Sequence, residues 1–235
     1  MKIAVDAFGG DNAPDEVIKG AVQAVKAYGV TVVLTGNEEI IHSRFRELGL
    51  SEENIEVVNA DGVIQIEDNP MDIRKAKADC SMGKAFQLVI NGEADAFVSA
   101  GSTAAIVVGG TMLTGRLKGV KRPSLTPIMP SPTGYYLLSD GGANVECRPE
   151  MLLQFGVMGS IYMNKVMGVE NPRVGLLNIG AEDEKGRDLE REANELLKKS
   201  GLNYVGNTEG REVPLGAVDV IVTDGFTGNI YLKTG

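Results

Sequence analysis

Short apolar runs alternate with amphipathic segments along the chain. Six of the runs are rich in β-branched residues and apolar throughout, which is typical of strands that are covered on both faces. They span residues 2–7, 30–35, 95–99, 135–139, 173–179 and 218–223. The pattern therefore predicts a sheet of mostly parallel strands.

Apolar residues at helical spacing predict helices between these strands. One stripe follows Pro14, which suits a first helical turn, and comprises Val17, Ala21, Ala24, Val25 and Tyr28. Another comprises Leu189, Ala193, Leu196 and Leu197. Glu195 and Lys199 are expected to pair on the outer side of that helix. Residues 151–167 are apolar nearly all round, so they are predicted to form a deeply buried helix.

Two segments depart from this rhythm. Residues 121–134 contain four prolines and are predicted to be an extended connection or an edge hairpin. Residues 96–115 carry no charge over the length of a membrane span. Their four glycines and five serines or threonines instead favour a strand, a glycine turn and a buried helix, in a soluble protein.

Strands that alternate with helices favour the α/β class with right-handed crossovers. We therefore expect a doubly wound α/β fold with a mostly parallel sheet. The chain contains no internal repeat, low-complexity tract or linker-like segment. Residues 1–235 are accordingly interpreted as a single α/β catalytic domain.

Glycine is the unusual component of the composition, with 30 residues among 235. Glycine-rich turns follow five of the predicted strands, at residues 8–14, 100–105, 140–144, 180–186 and 224–229. In an open parallel sheet such turns lie along the carboxyl edge, where ligands bind. Backbone N–H groups and hydroxyls at helix N-termini can hold an anion there. The alternative is that small residues merely cap the helices.

Several classes of site are excluded by missing motifs. No G-x-G-x-x-G follows the first strand, and the chain has neither a P-loop nor a G-x-S-x-G nucleophile elbow. A single histidine, His42, makes a Ser-His-Asp arrangement hard to build. Any chemistry is therefore expected to rest on positioning and on stabilisation of charge rather than on a side-chain nucleophile.

Charge and cysteine content limit the partners. The formal net charge of −9 argues against nucleic acid as the main partner. Cys80 and Cys147 cannot form a metal site alone and are expected to be unpaired thiols in a reducing cytosol. No signal peptide is visible, so a cytoplasmic location is expected.

Six motifs make the chain resemble a known family. They are DAFGGDNAP, SAGSTAA, KRPSLTPIMP, SDGGANVE, GLLNIGAEDEKG and TDGFTGNIYLKT, in this order. Together they resemble the bacterial phosphate acyltransferases of phospholipid synthesis, the PlsX-type family. The resemblance implies transfer of a long-chain acyl group from acyl carrier protein to inorganic phosphate, which yields acyl phosphate. It also implies an isocitrate-dehydrogenase-like or phosphotransacetylase-like fold, a cytosolic homodimer, and no metal or organic cofactor.

Family members continue beyond the position of Gly235, through about a hundred further residues, roughly a small domain's worth. By comparison this chain is expected to lack a C-terminal region that the family uses for dimer contacts and for handling of the membrane or the acyl chain. Peripheral contact with the membrane would be made through that region.

The resemblance and the glycine-rich turns together identify candidate site residues. Lys185, Asn229 and Asn144 are the expected catalytic residues, with Lys185 neutralising charge. Residues expected to hold phosphate or substrate are Gly9, Gly10, Asp11, Asn12, Lys75, Lys77, Ser81, Ser102, Thr103, Asp140 and Asp224. The three aspartates in that set are interpreted as organisers of turns and lysines rather than as bases.

The partner of such an enzyme, acyl carrier protein, is acidic and would need a local basic face. Lys118, Lys121 and Arg122 form one candidate docking cluster, and Arg44 with Arg46 another. Ordinary surface charge is the alternative for both. Two other functions stay open, a coenzyme-A-dependent phosphotransacetylase and a catalytically silent module that binds phosphate or acyl groups.

Overall fold

A computed structural model describes residues 1–234. The chain divides into two compact units, Met1–Leu117 and Lys118–Gly235. Each unit has its own sheet, so the strands form two sheets rather than the one that was expected. The α/β class and the mostly parallel pairing are confirmed. The prediction of a single catalytic domain over residues 1–235 stays a prediction.

The first unit is built on a four-stranded parallel sheet in the order β3-β2-β1-β4. The strands are β1 (Lys2–Asp6), β2 (Thr31–Gly36), β3 (Ile55–Asn59) and β4 (Ala96–Val98). The helices are α1 (Asp15–Tyr28), α2 (Glu38–Leu48), α3 (Ser81–Ile90) and α4 (Thr103–Gly109). A 3-10 turn at Pro70–Arg74 precedes α3, and a π-helical turn at Gly110–Thr114 follows α4. Leu34, Ile41 and Phe45 form part of the core under α1 and α2.

The second unit has a five-stranded sheet in the order β5-β6-β9-β7-β8. The strands are β5 (Ile128–Ser131), β6 (Gly134–Ser139), β7 (Val174–Asn178), β8 (Tyr204–Glu209) and β9 (Val220–Val222). The helices are α5 (Pro149–Lys165), α6 (Asp188–Lys198) and α7 (Gly225–Thr234), with a 3-10 turn at Val213–Leu215. Leu152, Phe155 and Leu197 pack in the core between the sheet and the helices α5 and α6.

All six predicted strands are present, with ends shifted by one or two residues. The predicted edge hairpin is also confirmed, because β5 pairs antiparallel with β6 at the edge of the second sheet. β3 and β8 were missed. The predicted Glu195–Lys199 pair is present, with the amine and carboxylate 3.6 Å apart.

The helix predicted after Pro14 is present as α1, which buries Ile18, Ala21 and Val22 and leaves Tyr28 80% exposed at its last turn. Two expectations about burial were wrong. Helix α4 is only half-buried, since only Ala105 and Gly109 on it are enclosed.

Helix α5 is not deeply buried either. It packs one face on the sheet, and on its outer face Ile161 is 57% exposed and Val157 and Tyr162 are exposed as well. Within residues 1–234 no helix is both long enough and apolar enough to span a membrane.

Candidate active site

The five glycine-rich turns fall into two groups because the strands belong to two sheets. In the first unit, the turns after β1 and β4 meet, since these strands are neighbours and Val5 lies opposite Val98. The buried carboxylate of Asp6 accepts a hydrogen bond from Ser99 Oγ at 2.8 Å. Ser99 Oγ in turn accepts one from the backbone N–H of Gly101 at 3.0 Å. The two turns are thus locked to each other.

Gly9 is required by this contact. A Cβ atom at Gly9 would lie 2.7 Å from Asp6 Oδ2 and from Ser99 Oγ, closer than side-chain atoms approach. Gly10 has a φ of +100°, a conformation that favours glycine. With the exposed Asp11 and Asn12, these glycines border one end of a cleft of about 490 Å³ whose remaining walls are mainly apolar.

The other predicted residues near this turn differ in accessibility. Ser102 is buried and caps α4, because its Oγ accepts from the N–H of Ala105 at 3.4 Å. Thr103 is exposed at the first position of α4. Ser81 is fully buried at the start of α3, and its Oγ has no hydrogen-bond partner in the described part of the chain. The backbone carbonyl of Ser81 accepts from Thr35 Oγ1 at 2.8 Å, at the end of β2 beside Asp6.

The two lysines before α3 are not equivalent. Lys77 forms an ion pair with Asp68 and donates to the carbonyl of Val63 at 3.0 Å, so it holds a loop of its own unit. Its ammonium group holds the pKa of Asp68 below the ordinary value, with help from the N–H of Gln65. Lys75 is exposed, and its ammonium group has no partner within residues 1–234. Lys75 is therefore the more accessible cation of the two.

In the second unit, the turn after β6 is organised by Asp140. This carboxylate is fully buried and accepts hydrogen bonds from five N–H groups. Oδ1 accepts from the backbone of Leu125, Gly142 and Ala143, and Oδ2 accepts from the backbone and side chain of Asn144. The interpretation of Asp140 as an organiser fits this geometry.

Asn144 shares this structural task. Its side-chain amide donates to the carbonyl of Pro123 at 2.7 Å and to Asp140 at 2.8 Å, so both amide hydrogens are already used. Its backbone carbonyl accepts from the N–H of Gly225 at 2.8 Å. Asn144 therefore positions the turns after β6 and β9, and its direct catalytic role stays a prediction.

Asp224 follows β9 and caps α7. Its buried carboxylate accepts from the backbone N–H and the hydroxyl of Thr227, at 2.8 and 3.0 Å. It also accepts from the guanidinium of Arg187 at 2.5 Å. Hydrogen bonds from Arg187 to Glu190 and Asp224 raise the pKa of the guanidinium. Arg187 was not predicted as a site residue. Glu190, an acidic residue three positions later at the start of α6, could have indicated that Arg187 forms an ion pair.

Helix α7 packs so closely on the turn after β6 that two of its residues must be glycine. A Cβ atom at Gly228 would lie 1.9 Å from the carbonyl oxygen of Asp140, and one at Gly225 would lie 2.6 Å from that of Asn144. One turn on, Asn229 donates to the carbonyl of Gly141 at 3.3 Å. The second N–H and the carbonyl oxygen of this side-chain amide have no partner within residues 1–234, so they remain available to a ligand.

Lys185 lies in the turn after β7. It is exposed, and its ammonium group makes no hydrogen bond or ion pair with the residues that the structure describes. A cleft of about 580 Å³ opens beside this turn, with Asn178, Arg187, Thr227 and Tyr231 among its lining residues. The unit thus combines an available cation with a cleft at the carboxyl end of its sheet.

The first docking cluster is exposed, whereas the second is partly neutralised. Lys118, Lys121 and Arg122 are all exposed at the start of the second unit. Arg44 forms ion pairs with Asp15 and Glu47, which leaves less net positive charge beside Arg46.

Both cysteines are unpaired, as expected. Burial, with a smaller contribution from the carboxylates of Asp140 and Asp224, raises the pKa of Cys147 to about 11 against the opposing effects of the Gly225 N–H and Arg122.

Cys147 should consequently react slowly with iodoacetamide. The thiolate is the reactive form, and at pH 8 a thiol with this pKa is about one-thousandth ionised. We expect alkylation about two orders of magnitude slower than that of free cysteine, with a rate that rises about tenfold per pH unit up to pH 10. Mass spectrometry of the Cys147 peptide measures the rate, and urea-unfolded protein is the control. A folded-state rate at pH 8 equal to that of free cysteine would contradict the raised pKa.

Comparison with known proteins identifies the family. The model of the family described as "Fatty acid synthesis protein" matches residues 1–235. The chain is 47% identical to a phosphate acyltransferase of Clostridium acetobutylicum, over 99% of this chain and 71% of that protein. It is also 47% identical to one from Alkaliphilus oremlandii, over 99% and 70% of the two chains.

Solved structures confirm the expected fold. A phosphotransacetylase from Streptococcus pyogenes superposes with a TM-score of 0.76 at 20% identity, over 99% of this chain and 80% of the other. A 4-hydroxythreonine-4-phosphate dehydrogenase from Burkholderia phymatum gives 0.55 at 17% identity, over 100% and 84%. At such identities the likeness concerns the fold alone, whereas the sequence matches show that this chain belongs to the phosphate acyltransferase family.

Proposed function

We propose that the protein transfers a long-chain fatty acyl group from acyl carrier protein to inorganic phosphate, to give acyl phosphate for phospholipid synthesis. The observation that carries this proposal is Lys185, an exposed cation in the turn after β7 whose ammonium group has no partner within residues 1–234. It lies in a chain whose relatives are named phosphate acyltransferases. A cation in that position can bind the anionic co-substrate.

The reaction needs no protein nucleophile. A phosphate oxygen attacks the thioester carbonyl, the carbonyl oxygen becomes an oxyanion, and the C–S bond then breaks to release the thiolate of the carrier. His42, the single histidine, lies on α2 and contacts Glu52 at 2.8 Å and Glu38 at 3.7 Å. Within residues 1–234 neither nitrogen of its ring is hydrogen-bonded to a serine hydroxyl, which fits a mechanism that depends on positioning.

In the second unit, some residues contact the substrate and others position them. Lys185 neutralises phosphate and the charge that develops on it, and the available amide of Asn229 donates to the substrate. Asp140 and Asn144 hold the turn after β6 on which α7 packs, and Asp224 caps α7, so these three residues position Asn229. A homodimer in the cytoplasm with peripheral membrane contact is part of the proposal, supported by the family resemblance.

The proposal is tested by incubating the protein with palmitoyl-acyl carrier protein and ³²P-labelled phosphate. Formation of labelled palmitoyl phosphate is expected. Activity with acetyl-coenzyme A and none with the carrier would instead identify a phosphotransacetylase. Phosphate binding without cleavage of either thioester would identify a silent binding module.

Replacing Lys185 with alanine should lower kcat/KM for phosphate at least tenfold, which corresponds to about 1.4 kcal/mol of transition-state stabilisation. The loss is expected because the unpartnered ammonium group would otherwise contact phosphate. Steady-state kinetics with varied phosphate measure it.

Lys199→Ala is the matched control, since this lysine is equally exposed and lies on the same unit. The free energy of unfolding should change by no more than about 0.5 kcal/mol in either variant. An unchanged kcat/KM in Lys185→Ala would remove Lys185 from the mechanism.

A further inference from the structure

A shallow groove on the second unit lies directly beside the basic cluster. Its volume is about 350 Å³, and it is lined by Gly119, Val120, Leu153, Gln154, Val157, Met158 and Ser200. Gln154 and Ser200 are the polar side chains in this lining, and the rest are apolar or glycine. The exposed Ile161 continues the apolar stripe one turn further along α5.

Exposed cationic residues lie next to two of the groove residues in the sequence. Lys118 and Arg122 flank the groove residues Gly119 and Val120 in the chain, and both are exposed. Lys121 is exposed as well. Three cations within five residues are notable in a chain with a formal net charge of −9. An apolar groove with a cationic rim is complementary to an amphipathic helix that carries acidic residues beside its apolar face.

The segment that carries these cations is held rigidly. The side-chain amide of Gln154 accepts from the N–H of Lys121 and donates to the carbonyl of Gly119, both at 2.9 Å. Further along, the carbonyl of Pro123 accepts from Asn144, and the N–H of Leu125 donates to Asp140. A segment fixed in this way loses little conformational entropy when a partner binds.

The same segment leads from the groove to the candidate site. Pro123, whose carbonyl is bonded to Asn144, lies three positions after Val120 in the groove. At about 3.3–3.6 Å per residue, three residues cover at most about 11 Å even when fully extended. A partner seated in the groove would therefore lie close to the turn after β6.

We propose that this groove and its rim, Lys118 and Arg122, dock an acidic amphipathic helix of acyl carrier protein. The proposal rests on the proposed function and deepens it by assigning the surface that receives the acyl donor. The apolar face of the helix packs on Leu153 and Val157, and its carboxylates meet the cationic rim.

Kinetics with two acyl donors test the proposal. The double variant Lys118→Glu/Arg122→Glu should raise KM for palmitoyl-acyl carrier protein at least tenfold, while KM for phosphate and turnover of palmitoyl-coenzyme A change less than twofold. The dependence of KM on salt should also weaken, because rim charges act mainly on association. Val157→Ser should raise the same KM severalfold. Lys165→Glu, at the exposed far end of α5, is the matched control and should leave it unchanged.

A binding assay separates this proposal from the proposed function. Fluorescence anisotropy of labelled acyl carrier protein reports docking even where no acyl phosphate forms. Binding to the wild type that is lost in the double variant supports the docking surface whatever the reaction proves to be. Unchanged affinity and KM in the double variant would overturn it. A Val157→Ser variant that alters the oligomeric state, with KM unchanged, would also overturn it by assigning the groove to a second copy of the chain.

Discussion

Replacement of Asp140 by asparagine is expected to lower the free energy of unfolding of the second unit by about 3–5 kcal/mol. The carboxylate is fully buried and accepts five N–H groups, three on Oδ1 and two on Oδ2. In either orientation the amide of asparagine would point its own N–H₂ at two or three of these donors. Urea unfolding followed by circular dichroism measures the loss.

Glu146→Gln is the matched control for this variant. This substitution also replaces a carboxylate with an amide in the same segment. Glu146, however, is exposed, and its side chain has no partner within residues 1–234. Its effect should stay within about 0.5 kcal/mol. Hydrogen exchange should accelerate at the amides of Asn144 and Gly225 in Asp140→Asn. A loss below about 1 kcal/mol would mean that the turn after β6 does not depend on this carboxylate.

The positions of the strands were predictable because buried parallel strands have a simple signature. Continuous apolar runs located β1, β2, β4, β6, β7 and β9 to within two residues. β3 and β8 were missed because both contain exposed or polar residues, as strands at the ends of a sheet do. The hairpin of β5 and β6 was found through its prolines, which an edge strand tolerates.

The division into two sheets was not predictable from the same signal. Periodicity reports whether a run is covered, and it does not report which runs pair with each other. For the same reason the five glycine turns were expected along one edge, although they form one group of two and another of three. The exposure of the outer face of α5 was not predictable either. The sequence alone does not distinguish an exposed isoleucine such as Ile161 from a buried one.

Within the candidate site, contacts within one turn were predictable from the sequence, whereas contacts between distant residues were not. Asp140 and Asp224 were expected to organise turns, and their hydrogen bonds show how they do so. The contact of Arg187 with Asp224 was not predictable, because the two residues lie 37 positions apart in the sequence. The ion pair of Lys77 with Asp68 was not predictable, because no spacing rule connects the two residues, and the phosphate-binding role of Lys77 stays a prediction.

The glycine excess also has a more specific cause than was expected. The glycine-rich turns were expected to border a ligand, and at Gly228 the space that glycine leaves is occupied by protein. The missing side chain lets α7 approach the carbonyl oxygen of Asp140, where a Cβ atom would lie 1.9 Å away. Asn229 follows on the same helix, so its position depends on that approach.

Gly228→Ala is therefore expected to destabilise the second unit by about 3 kcal/mol, at the upper end of the range for overpacking. The atoms met by the new Cβ include the backbone oxygen and carbon of Asp140, at 1.9 and 3.0 Å, which cannot move aside by rotation of a side chain. Helix α7 would have to shift away from the turn after β6. Acyl phosphate formation should fall in the same variant, because the shift displaces Asn229 from Gly141.

Gly20→Ala is the matched control, since it makes the same substitution within helix α1. Apart from its chain neighbours and the backbone of its own helix, no atom lies within 4 Å of the position of its Cβ, and Gly20 is exposed. Because alanine is the better helix former, this variant should gain about 0.5–1 kcal/mol in the free energy of unfolding. Opposite signs in the two variants, measured by urea unfolding, would attribute the loss at Gly228 to the contact with Asp140 rather than to alanine itself. If Gly228→Ala is as stable as the wild type, α7 does not rest on the turn after β6, and Asn229 loses the placement that its role requires.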